Sequence, residues 1–417
     1  MAGVIAIVLA GGEGRRLFPL TLHRSKPSVP FGGKYRIIDF VLSNLINSGF
    51  TKIFALTQFK SDSLIAHISD AYHLNPSLGQ FVKPVPAQMR IGRDWYSGSA
   101  NAVYQALNII ADYKPDYVCV FGGDHIYKMD VRQFVDNHIA SGADLSVAAL
   151  KVDMEQAKSF GVIEVDKDWR MCSFEEKPKN PKTLADDPSQ ALCSAGNYVF
   201  SAIPLVKALI DDADNEKSSH DFGKDVIPAI LKSGSVNVYN FTGNKVPGEE
   251  ISGYWRDIGS IDSYYEASMD LVSIKPSLNL YNSMWKIRSA ATDLPPTKFV
   301  HENERKNRIG SAVNSILCDG VIISGGKVNN CVLSPGVRVN SFSNVSHTVI
   351  MDNVDIGRSC KIKGAIIDKF VEIPPETVIG YNKEEDRKKY FVSPGGVVVI
   401  PKWRGSVEDL LKKYNIQ

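Results

Sequence analysis

At 417 residues the chain exceeds the roughly 250–300 at which a single hydrophobic core usually stops growing, so two domains are expected. Apolar residues at 44% and charged residues at 23% exclude extensive disorder. Lys and Arg stand at 48 against 46 for Asp and Glu, too even a balance for a nucleic-acid or membrane footprint, which leaves small ligands.

Residues 4–9 (Val-Ile-Ala-Ile-Val-Leu) form a β-rich run that enters the loop Ala10, Gly11, Gly12, Glu13, Gly14, Arg15, Arg16. This is the pattern of a buried parallel strand ending in a phosphate-sized loop. The run is too short to span a bilayer and leads to no small-residue cleavage site, so a cytoplasmic location is expected. Further apolar strands are predicted at 52–57, 117–121 and 145–150, with helices at 37–48 and 101–113 between them. The alternation predicts an α/β fold with a mostly parallel, helix-covered sheet. A strand-rich stretch at 161–200 surrounds Glu175, Glu176, Lys177 and Pro178 and reads as a lid over one end of that sheet. The six cysteines (Cys119, Cys172, Cys193, Cys318, Cys331, Cys360) show no C-x-x-C pair and no zinc spacing, and read as reduced thiols.

The texture changes after residue 280. Pro295, Pro296 and a charged segment at 301–308 mark a linker over 281–308, between a catalytic domain (1–280) and a second domain (309–417). In the second domain aliphatic residues recur every six positions: Ile316, Ile322, Val328, then Val339, Val345, then Ile350, Ile356, Ile362, then Ile367, Ile373, Ile379. Slips of five or eleven separate the groups. A hexapeptide period predicts a parallel β-helix, whose coils stack aliphatic side chains inward. Residues 382–390 leave the repeat as a charged excursion, and the final residues are expected to cap the solenoid.

The first loop is no Walker P-loop, since no Gly-Lys-Ser/Thr ends it, and it is not G-x-G-x-x-G. It reads Leu9-Ala10-Gly11-Gly12-x-Gly14-x-Arg16-Leu17-x-Pro19-Leu20-Thr21, followed by Lys26-Pro27. Three glycines let backbone N–H groups approach an anion, and Arg16 and Lys26 add the charge to hold a triphosphate. This signature resembles the opening of the sugar-nucleotide pyrophosphorylases, which transfer a nucleotidyl group to a sugar 1-phosphate. Residues 31–40 and 42–49 resemble the ADP-glucose branch rather than the UDP, dTDP or GDP branches. The resemblance runs through nearly the whole chain. It implies a Rossmann-like nucleotidyltransferase domain followed by a left-handed parallel β-helix, with ATP and glucose 1-phosphate as substrates.

Residue by residue, the resemblance assigns the nucleotide to Leu9, Ala10, Gly11, Gly12 and Gly14, with Gln88, Tyr96 and Gly98 on loops that cover it. Gln88 offers the donor and acceptor an adenine edge requires, while Trp95 can stack or simply fill space. Asp124 follows the strand at 117–121, at the sheet edge where α/β folds place ligands. With the distant Asp257 it is expected to hold Mg²⁺, as one or two carboxylates plus substrate phosphates ordinarily do. Glu176-Lys177-Pro178 resembles the family's sugar-phosphate element, Lys177 for the phosphate and Glu176 for the hydroxyls; Gly161, Ser194, Tyr198 and Asp221 join that pocket. Arg16, Lys26, Asp124, Lys177 and Asp257 are thus the expected catalytic set. His125 is read as a supporting residue, because a sugar phosphate with a second pKa of about 6 needs no base.

The family's solenoid helps form homotetramers and an effector site between domains. His23, Arg24, Arg387 and Lys388, with Lys389, are candidate contacts for a phosphorylated metabolite, and a solvated basic face is the other reading of the 387–389 cluster. The chain departs from the pattern at His23, where sugar-bisphosphate-activated members carry lysine. It departs again at Ser97, Ser99 and Asn101, where bacterial members often carry arginine, threonine and aspartate. Three alternatives stay open: a UTP- or dTTP-dependent sister enzyme, a silent regulatory subunit, which should lack Asp124 or Lys177, and a hexapeptide acyltransferase, which would need His347.

Overall fold

A computed structural model describes residues 3–88, 95–250, 252–300, 302–303 and 308–402. The central strand Val4–Leu9 lies between Lys52–Thr57 and Tyr117–Gly122, parallel to both, and Phe81–Pro86 extends the sheet in parallel beyond Lys52–Thr57. Alternation decides what each residue of the strand meets. Ala6 and Val8 enter a core with Val41, Leu42 and Leu45 of helix Ile37–Asn47, whereas Ile5 and Ile7 face the opposite core with Val103 and Leu205. Each fully buried Ile or Val contributes about 1.5–3 kcal/mol of transfer free energy, so a helix layer on both faces is what such a strand requires.

The other half of the sheet is built on the long strand Gln190–Ser201, antiparallel to Tyr117–Gly122, to Leu145–Asp153 and to Gly161–Val165. Met171–Glu176 pairs antiparallel with Gly161–Val165, so the stretch expected as a lid is built into the sheet, its first two strands at the edge and Gln190–Ser201 inside. The helix expected at 101–113 is two, Ser99–Tyr104 and Leu107–Tyr113. At the break, Gln105 is buried and its amide donates to Asn101 Oδ1 at 2.9 Å.

The stretch after residue 280 is not a loose tether. Trp285 is buried and its indole N–H donates to Asn44 Oδ1 at 2.9 Å, while Arg288 N–H donates to Ser43 Oγ and Ser289 Oγ to Asp39 Oδ2. Strand Lys298–Val300 already pairs in parallel with Ile322–Ser324, so a solenoid strand lies within the stretch expected to be linker.

The solenoid's register explains its period. Val328 pairs with Val345, Val345 with Ile362 and Ile362 with Ile379, and Val339 pairs with Ile356 and Ile356 with Ile373, all in parallel. Each coil therefore advances by two sixes and a five, which is the origin of the slips. At the first coils the inward residues are Leu317 and Ile323, one position after the expected Ile316 and Ile322: Leu317 pairs with Leu333 and Ile323 with Val339. A second aliphatic ladder, Val332, Val349, Ile366 and Val399, points outward onto Phe31, Ile261, Tyr264 and Ala267 of the first domain. The two domains thus share one apolar core. The expected cap at the C terminus falls on residues 403–417, outside the described ones.

Candidate active site

Because the central strands run parallel, Leu9, Thr57 and Gly122 all end at one edge of the sheet, and a cavity of about 550 Å³ opens there. Leu9, Gly11, Gly12, Gly14, Arg16, Lys26, Tyr96, Gly98 and Asp124 line it. Gly14 turns the loop at φ 67°, and a Cβ on it would stand 2.7 Å from Lys26 Cβ. Only glycine meets both demands, and its absence of side chain lets the lysine pass under the loop.

Lys26 runs buried to the two acids that sequence separates by 133 positions. Its Nζ donates to Asp124 Oδ2 at 3.0 Å and to Asp257 Oδ1 at 3.1 Å. Asp124 comes two residues after the end of Tyr117–Gly122, and Asp257 ends the short strand Trp255–Asp257, whose antiparallel register on His125–Tyr127 sets it opposite His125. Arg16 Nη2 reaches Asp257 Oδ2 at 3.9 Å over Gly259, where a Cβ would strike that oxygen at 2.5 Å. Burial by itself would raise the Asp124 carboxyl, but His125 and Lys26 outweigh it and hold the group well below the usual carboxylate range. Burial likewise works against the Lys26 ammonium, and Asp124 and Asp257 overcome it, so its pKa rises. His125 stands between the acids, Nδ1 3.6 Å from Asp124 Oδ1 and Nε2 3.9 Å from Asp257 Oδ1, with its ring tilted on Trp255 at 4.8 Å.

The residues expected on the sugar side form a second patch next to this centre. Gly196, at φ 73°, lies next to the His125 ring, where a Cβ would stand 3.3 Å from Cε1. The Glu176 carboxylate is wedged between Gly161 and Gly223, whose absent Cβ atoms would stand 2.9 and 2.7 Å from its Oε2. Lys177, at φ 50°, bonds Glu176 Oε1 at 2.8 Å and leaves more than half of its side chain exposed. Burial pushes the Tyr198 hydroxyl up, with Glu176 and Asp221 adding to the effect, and a bond to Ser194 opposes it. Asp221 is committed locally: Oδ1 accepts from Gly223 and Lys224 N–H as a helix cap, and Oδ2 accepts from Ser99 Oγ.

Some of the expected residues lie apart from the main cavity. Ala10 is fully buried and holds the loop by donating its N–H to the Leu56 carbonyl, away from the cavity. Gln88 lines a separate cavity of about 90 Å³ behind Tyr96, not the main one. The glutamine that does line the main cavity is Gln58, which grips the Tyr96 backbone from both sides: Tyr96 N–H donates to Oε1 at 2.7 Å and Nε2 donates to the carbonyl at 3.3 Å. Its signal in the sequence was its place one residue beyond strand Lys52–Thr57, on the ligand edge of the sheet. Arg24 is no solvent-facing effector contact. It is buried and holds Asp368 of the solenoid at 2.8 and 3.1 Å. His23 and Arg387 are exposed, and Lys388 pairs with Glu385; Phe18 and Phe391 meet edge to face at 6.4 Å, so the first loop adjoins the strand Phe391–Val392 that follows the charged excursion. Trp95 is also exposed.

No group of three or more His, Cys, Asp or Glu suited to a metal occurs among the described residues. All six cysteines are free. No helix among the described residues is long and apolar enough to cross a membrane.

A glycine-and-cation loop facing paired aspartates on an α/β sheet, joined to a hexapeptide solenoid, defines a class of nucleotidyl-transferring proteins. Residues 5–273 match the nucleotidyl transferase family model, and residues 295–400 match the GlmU-like C-terminal hexapeptide model. The chain is 53% identical over 405 residues to a glucose-1-phosphate adenylyltransferase of Anaeromyxobacter sp. (strain Fw109-5), spanning 96% of this chain and 98% of the relative. It is 50% identical to that of Frankia casuarinae and 48% to that of Photobacterium profundum, over 96% of this chain and 97% and 98% of theirs. The chain belongs to the glucose-1-phosphate adenylyltransferase family of nucleotidyl transferases.

Proposed function

We propose that the chain converts ATP and α-D-glucose 1-phosphate to ADP-glucose and diphosphate, supplying a glucosyl donor for glycogen or starch synthesis. The observation that carries this is the meeting of Asp124 and Asp257 on one ammonium group at the mouth of the glycine-floored cavity. The N–H groups around Gly11, Gly12 and Gly14, with Arg16, hold the triphosphate, and Lys177 aims the sugar phosphate. A phosphate oxygen of the sugar forms a bond to the α-phosphorus in line, the bond from that phosphorus to the β-phosphate oxygen breaks, and diphosphate leaves. The nucleophile is already largely ionised, its second pKa being about 6, so the chain supplies position and charge rather than a base. Two carboxylates that converge on a single cation give an all-oxygen donor set of the kind magnesium takes, so Asp124 and Asp257 would hold Mg²⁺. When bound, it would neutralise charge on the reacting phosphates.

The same reading makes the protein a cytoplasmic homotetramer regulated by a phosphorylated metabolite, with His23, Arg387 and Lys388 as the cationic contacts. Diphosphate release measured across ATP, UTP, dTTP and GTP, each with several sugar 1-phosphates, tests the substrate assignment. ATP with glucose 1-phosphate is expected to give the highest kcat/KM, and a preference for UTP or dTTP would replace it.

A further inference from the structure

Helix Ser99–Tyr104 forms part of the cavity wall through Ser99 and Ala102, and it has no side-chain cap. Its first N–H groups are satisfied from another loop instead. Ala100 and Asn101 both donate to the His220 carbonyl, at 2.9 and 3.3 Å. The contact is close: a Cβ on Gly98 would lie 2.2 Å from that carbonyl oxygen. Two further bonds tie the same segments, Phe222 N–H to Ser99 Oγ and Ser99 Oγ to Asp221 Oδ2, each 2.9 Å.

His220 itself is in the left-handed region at φ 54°, unfavourable for a residue with a Cβ, so something must hold it there. Its ring does this. Nδ1–H donates at 2.9 Å to Oδ2 of Asp212, a carboxylate 8% exposed near the end of helix Ala202–Ala213, and Asp212 Oδ1 accepts from Ser218 Oγ, which in turn accepts the His220 N–H. A chain of bonds therefore runs from a buried acid, through a constrained backbone, to the wall of the nucleotide cavity.

We infer that His220 is a positioning residue: held by Asp212, its carbonyl fixes Gly98 and Ser99 and so sets the shape of the nucleotide site. The inference rests on the reading of this cavity as the nucleotide site. His220 is not among the residues that line the cavity, so its loss is expected to act on nucleotide binding more than on turnover.

The test is steady-state kinetics on the full-length enzyme with His220→Ala, Asp212→Ala and the double variant, with melting temperatures recorded alongside. Each single variant is expected to raise the nucleotide KM about tenfold, the equivalent of one hydrogen bond to a charged group, with kcat changed by less than about threefold. The double variant should be no worse than either single one, because both cut the same chain of bonds. His220→Asn, which tolerates the left-handed backbone and keeps a donor, should recover part of the loss. An unchanged nucleotide KM in folded His220→Ala, or additive effects in the double variant, overturns the inference. Should His220→Ala not fold, Ser218→Ala cuts the link from Asp212 Oδ1 to the His220 N–H while leaving the cavity lining intact, with a nucleotide KM rise expected and an unchanged KM counting against the inference. The parent protein separates the two ideas: a parent without nucleotide-dependent diphosphate release removes the functional reading, whereas an active parent with unaffected variants removes only His220's role.

Discussion

The carboxyl edge of the sheet and the solenoid solve opposite problems with the same backbone rules. At the sheet edge every position is singular: Gly14 is where it is because Lys26 passes beneath, and Gly259 because Asp257 and Arg16 close over it. In the solenoid positions are interchangeable down a column, and Val328, Val345, Ile362 and Ile379 occupy one environment repeated. Yet the two regions are mechanically joined. The outward ladder of the solenoid packs on helix Ile261–Asp270, which begins four residues after Asp257, and Ser393 and Gly395 of the second domain bond Asp262 in its first turn. Arg24, two residues before Lys26, is locked to Asp368. The repeat region thus braces the segments that carry two of the three charged groups at the centre of the site.

The strongest way to break that brace is Asp368→Ala, which strands a buried guanidinium and should cost about 3–5 kcal/mol in urea unfolding. Replacing both partners with apolar residues, Arg24→Met with Asp368→Leu, should recover most of that loss, and a double variant as unstable as the single one would mean the pair is not where the cost lies. On the other side of the comparison, Asp124→Asn should leave folding intact and lower kcat about 10²–10³-fold, the usual effect of losing one group that stabilises charge in the transition state. An unchanged kcat would remove Asp124 from the reacting centre.

How much of this was legible depends on whether the signal is local. The solenoid announces itself because its environment repeats, although Ile316 and Ile322 were misphased: two adjacent isoleucines at 322 and 323 leave the period one residue of play, and only the pairing of Ile323 with Val339 settles which points inward. The outward ladder was invisible, since Val332, Val349 and Ile366 are as apolar as their inward neighbours and only the first domain's surface explains them. At the site, Gly11, Gly14, Lys26 and Asp124 follow from a strand-then-loop pattern. The convergence of Asp257 on Asp124 was carried by resemblance, because no local rule joins positions 133 apart. Gln88 was carried by resemblance and by the donor and acceptor of its amide, whereas Gln58, one residue past the expected strand at 52–57, has no motif around it; only the pairing of Lys52–Thr57 with Val4–Leu9 brings it to the cavity. Arg24 looked like a surface cation because its partner is 344 residues away.

Two neighbouring solenoid residues sharpen the comparison further. Ile367 faces the solenoid interior and Ile366 faces the first domain, both fully buried. Alanine at either should cost about 2–5 kcal/mol. Only Ile366→Ala should also lower kcat, because only that ladder supports the helix next to Asp257; equal kinetic effects would erase the distinction between the two faces.

The smallest effect concerns pH. Lys26 has a raised pKa in the folded chain, so its contribution to stability is fully present below the unfolded value of about 10.4 and is lost as pH rises through the higher folded one. Asp124 is depressed, so its contribution is present above about 3.9 and is lost as pH falls through the lower folded value. Between these limits neither group changes its proton. The stability difference between the parent and Lys26→Met, followed by urea unfolding, should therefore be flat from about pH 5 to 9 and shrink at both extremes. A difference that changed steeply near neutrality would mean that Lys26 does not hold its proton between the two aspartates across that range.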